Sequence, residues 1–156
     1  MNIPAIDVYS VLPVVVLSAF GIAIMVLEPF LPSNARSGLG WLAFLGTVAA
    51  GISIVPMHGH LGQWYSNLWI VDDYSIFFHV LFIFIAAMTT LMSIDYLRRE
   101  NMNHGEYYAL LLFATAGMLV MAGSNELMMI FIGLEILSIA TYVMAGFRRK
   151  DLRSNE

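Results

Sequence analysis

The sequence predicts an all-α integral membrane protein with five transmembrane helices, its N-terminus outside and its C-terminus cytoplasmic. Three observations lead there. Hydrophobic residues make up 60% of the 156 positions and charged residues 12%, too apolar a balance for one soluble domain of this length. The apolar runs are long enough to cross ~30 Å of hydrocarbon, which takes ~20 residues at ~1.5 Å each. All seven basic residues, Arg36, Arg98, Arg99, Arg148, Arg149, Lys150 and Arg153, fall on one side of a five-span arrangement, as the positive-inside rule requires.

The first span is expected at about 9–27, with Pro13 in its opening turn and a stop before Pro29. The second, about 39–55, ends at Pro56. Its Ala43, Gly46 and Ala50 are small and spaced three and four apart, which lets a neighbouring helix approach closely. A long loop follows, whose Trp64, Tyr65 and Trp69 suit the level of the lipid headgroups. The third span, about 74–96, opens after Asp72-Asp73, either of which can cap it. The fourth, about 107–122, is short and draws on Gly105-Glu106 to reach across. Gly123-Ser124-Asn125 turns into the fifth, about 126–147, with Ser124 or Asn125 as cap and Glu126 in the first turn. The fourth and fifth spans therefore form an antiparallel hairpin. Residues 148–156 are expected as a basic cytoplasmic tail.

The sharpest chemical signal is Glu135, inside LMMIFIGLEILSIATYVMAGF. It lies ten residues beyond Asn125, about 15 Å deep, near the middle of a bilayer. A charged group there costs ~2.5–3.5 kcal/mol or more to insert, so it marks a proton or ion path by default. Ser138 and Tyr142, at i+3 and i+7, extend a polar stripe on the same face. The plainer alternative is a neutral glutamic acid that hydrogen-bonds a neighbouring helix. His79, about a turn and a half inside the third span, is open in the same way: a hydrogen-bonded structural histidine or a proton relay.

Several other readings fail on context. His58-Gly59-His60 has no third metal ligand near it in sequence. Gly38-Leu39-Gly40-Trp41-Leu42-Ala43 has dinucleotide-like spacing but opens an apolar span and follows no strand. Without cysteine there are no disulfides, thiolate zinc sites or cysteine-ligated iron–sulfur clusters on the chain. No P-loop, nucleophile constellation or basic nucleic-acid patch is present.

Residues 105–147, GEYYALLLFATAGMLVMAGSNELMMIFIGLEILSIATYVMAGF, strongly resemble the fourth and fifth helices of subunit N of proton-translocating NADH–quinone oxidoreductase, respiratory complex I. VDDYSIFFHVLF, residues 71–82, resembles the approach to that family's third helix, and Gly133-Leu134-Glu135 with Ser138 and Tyr142 favours subunit N over its antiporter-like sisters. The resemblance implies that Glu135 is essential to proton translocation, with Ser138 and Tyr142 on the polar path. It implies a subunit of an enzyme complex in the cell inner (plasma) membrane, with lipid and the other membrane subunits as partners. Electrons would pass from NADH to quinone on other subunits, with no redox cofactor on this chain. Family members are longer, carry inverted repeats with discontinuous helices, and pair the glutamate with membrane lysines. Here the only lysine is Lys150, outside the hydrocarbon, so the chain is expected to be an N-terminal fragment of a longer antiporter-like bundle. A small self-contained proton-coupled transporter, and a structural subunit whose glutamate only organises packing, are the competing classes.

Overall fold

The computed structural model describes residues 7–31, 37–99 and 104–146. Five helices long and apolar enough to cross a membrane dominate them: α1 (Val8–Leu27), α2 (Ser37–Ile52), α3 (Asp73–Arg99), α4 (Gly105–Gly123) and α5 (Leu127–Ala145). The chain is a multi-pass membrane protein. Of the basic residues used for orientation, only Arg98 and Arg99 are among the described residues; Arg36 and the tail 148–156 lie outside them.

α1 starts where Asp7 accepts a hydrogen bond from the Ser10 N–H at 2.9 Å, capping the orphan donors of the first turn. Because the helix begins at Val8, Pro13 lies in the second turn and not the opening one. Its ring removes the N–H that would have served the Tyr9 carbonyl. α2 continues past Ile52 as a one-turn 3-10 helix, Val55–Gly59, with Pro56 near its start. α3 is capped by Asp72, whose carboxylate accepts from the Ser75 N–H at 2.7 Å, while the Ser75 hydroxyl accepts from the Asp72 N–H at 3.0 Å. This reciprocal pair is why the helix begins where it does. α4 does take in Gly105 and Glu106.

The expected cap of α5 is corrected. Glu126 occupies the N-cap position and neither Ser124 nor Asn125 caps the helix. Asn125 instead turns outward, its backbone N–H on the Leu68 carbonyl at 3.0 Å and its side-chain amide on the Asn67 carbonyl at 3.1 Å.

Those two acceptors belong to a feature the sequence reading did not contain. The connection between α2 and α3 is a small antiparallel hairpin of β1 (Gly62–Trp64) and β2 (Trp69–Val71). Its turn holds Tyr65, Ser66 and Asn67 in the left-handed region, at φ 55°, 59° and 73°, which costs non-glycine residues energy. Contacts on both sides hold it. The Tyr65 hydroxyl donates to the Asp7 carbonyl at 2.6 Å, and the Trp64 indole to the His60 carbonyl at 2.9 Å. Trp69 is buried, contrary to the headgroup position expected for it. Its indole donates to the Ser10 carbonyl at 3.2 Å, it bridges to Ser124, and its ring fills the space a side chain at Gly123 would need. The hairpin is thus a strap across the α1, α3 and α4–α5 ends.

The helices α1, α2, α3 and α4 close a ring, with α4 touching every other helix, while α5 packs chiefly on α4. Leu17, Ile24, Ala43, Ala50, Leu112 and Leu119 are fully buried at the centre. The small residues of α2 do admit a neighbour: Phe20 of α1 lies where a side chain at Gly46 would have to sit, 2.8 Å from the hypothetical Cβ.

Candidate functional site

α5 meets α4 through glycine. A Cβ on Gly117 would stand 2.7 Å from the Gly133 carbonyl oxygen, and one on Gly133 would stand 2.8 Å from that of Gly117. The two backbones therefore touch, and any larger residue would push them apart. The sequence reading missed this pair; the signal was a glycine in each of two adjacent spans. Gly133 fixes which face of α5 turns to α4, and Ala140, seven residues on, is buried on the same side.

Glu135 follows Gly133 by two residues, about 200° round the helix, and so projects away from α4. Its side chain is exposed, Tyr142 is 75% exposed on the same face, and Ser138 is half-buried at the margin. The structure thus brings the three predicted residues onto one stripe. Among the described residues His60 lies 3.1 Å from the Asp7 carboxyl and His104 3.7 Å from that of Glu28. Neither contact involves Glu135. Thr141 does not join the stripe chemically, because its hydroxyl is shared between the Leu137 and Ser138 carbonyls, each at 2.9 Å. A carboxyl half-way along a membrane helix, with no cation paired to it among the described residues, can bind and release a proton if a partner or water reaches it.

His79 lies elsewhere, wholly buried in the four-helix ring and 6.3 Å edge-on from Trp69. Its Nδ1 is 2.6 Å from the Ser75 carbonyl. No group of three His, Asp or Glu side chains able to hold a metal occurs among the described residues.

A second carboxylate escaped the sequence reading. Glu28, at the end of α1, is nearly buried and accepts the Glu106 N–H at 2.8 Å. It gives a first-turn N–H of α4 the side-chain acceptor that His104, in the N-cap position, does not. The clue available was an acidic residue at the end of an apolar run, directly before Pro29.

No family model matches the chain. Relatives do. The chain is 40% identical over 151 residues to the NADH-quinone oxidoreductase subunit N of Trichlorobacter lovleyi, an alignment covering 97% of this chain and 31% of the relative. It is 39% identical over 161 residues to subunit N 1 of Koribacter versatilis, covering 96% of this chain and 31% of that protein. With the F(420)H(2) dehydrogenase subunit N of Methanosarcina mazei the identity is 35% over 159 residues, covering 96% and 32%. The chain spans about a third of the length of these relatives. With nearly all of its length matched by proteins so named, and five membrane-length helices to carry the match, this chain belongs to the NADH–quinone oxidoreductase subunit N family.

Proposed function

We propose that this chain is the Glu135-bearing part of a proton-translocating membrane subunit of NADH–quinone oxidoreductase, with Glu135 as the proton-carrying group and Ser138 and Tyr142 on its path. The observation that carries the reading is the placement of Glu135: mid-helix on α5, turned away from α4, beside Tyr142 and Ser138. A carboxyl that only organised packing among these five helices would be expected against α4, where α5 is buried. The names of the relatives support the enzyme complex. Electron transfer from NADH to quinone belongs on other subunits, which are the partners, and this chain itself holds no redox cofactor. The basic residues support an external N-terminus and a cytoplasmic C-terminus in the cell inner membrane.

Moving one proton against ~100 mV requires ~2.3 kcal/mol. The carrier must therefore change its proton affinity by that amount between loading and release, about fiftyfold in binding constant. A cationic group moving to within ~4–6 Å of the carboxylate and away again supplies such a change. That cation comes from outside this chain's spans, since the described α5 face has none opposite it.

Glu135→Gln keeps the shape and hydrogen-bonding capacity but cannot ionise. In membrane vesicles, with NADH oxidation followed beside a pH-gradient dye, the variant complex is expected to assemble, lose pumping and lose the turnover coupled to it. Glu135→Asp should retain part of both. An assembled Glu135→Gln complex pumping at the wild-type rate would make the residue structural.

A further inference from the structure

His79 holds a second, independent piece of chemistry. The imidazole has no solvent exposure. A carbonyl oxygen only accepts, so the 2.6 Å contact with the Ser75 carbonyl puts the proton of the neutral ring on Nδ1. Nε2 is left as a lone pair, buried, with no protein hydrogen-bond partner among the described residues. Two donors close by are committed elsewhere. The Trp69 indole, edge-on to the ring at 6.3 Å, gives its N–H to the Ser10 carbonyl. The Ser75 hydroxyl is spent on the Asp72 carbonyl at 2.9 Å. Those same contacts fix the ring: the carbonyl holds Nδ1 and the strap residue Trp69 stands against its edge.

A rigid acceptor of this kind in a low-dielectric interior stays unpaired only at considerable cost, and an ordered water is a common way for a folded protein to meet it. We propose that Nε2 of His79 is the binding point for a single water molecule inside the helical ring, one and a half turns into α3 and beneath Trp69. This site is separate from the Glu135 stripe, which lies on the far face of α5.

The test is a cryo-EM map, at a resolution that shows waters, of the native assembly containing this chain. A water-sized peak is expected ~2.7–3.2 Å from Nε2. His79→Leu, which retains bulk without a lone pair, is expected to lose that peak. A Glu135→Gln assembly is expected to keep it even with pumping abolished, so this inference and the proposed function can fail separately. A wild-type map with no peak there would overturn the proposal. So would a protein donor from another segment or subunit seated on Nε2, or a peak that survives in His79→Leu. Should His79→Leu not assemble, the wild-type map decides alone.

Discussion

α4 and α5 are neighbours of equal length, 19 residues each, joined by a tight turn, yet they do opposite things. Eleven of the 19 residues of α4 are buried inside the molecule, against two of the 19 of α5. The more exposed helix is also the more apolar. In a soluble protein that order would be reversed. Here the buried helix is rich in small and hydroxyl-bearing residues, Ala109, Ala114, Thr115, Ala116 and Gly117, because close approach of backbones drives packing once water is absent. α5 buries only two such residues, Gly133 and Ala140. Its remaining surface is free for lipid or further protein, and that surface carries Glu135.

The contrast can be broken from either helix. The largest expected effect is Leu112→Ala at the fully buried centre of α4, which should cost ~2–5 kcal/mol, read as a lower midpoint in thermal or denaturant unfolding in detergent. Next comes Gly133→Leu. Its Cβ begins 2.8 Å from the Gly117 carbonyl, so α5 must separate from α4, at ~1–3 kcal/mol or more. Cross-linking between cysteines placed on α4 and α5 should fall with it, while that between α1 and α4 holds. If α1–α4 cross-linking falls equally, α5 is not the peripheral helix described above. Glu28→Ala removes the acceptor at the N-terminus of α4 and should cost ~0.5–2 kcal/mol. Glu28→Gln keeps an oxygen for the Glu106 N–H and should recover most of that loss. The smallest effect belongs to Leu127→Ala on α5, at a side chain 83% exposed, expected within ~0.5 kcal/mol of zero. A loss matching Leu112→Ala would mean that the outward face of α5 is packed by something else.

Hydrophobic runs of helical length, punctuated by Pro29, Pro56 and the 123–125 turn, were enough to read five spans, because a bilayer requires each crossing segment to satisfy its own backbone hydrogen bonds. For the same reason the stripe of Glu135, Ser138 and Tyr142 was legible: helical periodicity alone puts those three on one face. Which way the stripe points was not legible. That depends on the mutual contact of Gly117 and Gly133, two residues that carry no hydropathy signal and act only when their helices meet. The strap was hidden for a related reason. β1 and β2 are three residues each, too short to show an alternating pattern. The hairpin persists because Asp7, Ser10 and Asn125, far off in sequence, pair with Tyr65, Trp69 and Asn67. Glu28 reaches its partner 78 residues away at Glu106, and Trp69 is buried by helices that local sequence does not mention. Local periodicity sets where a chain crosses a membrane. Which faces meet follows from contacts between segments that only folding brings together.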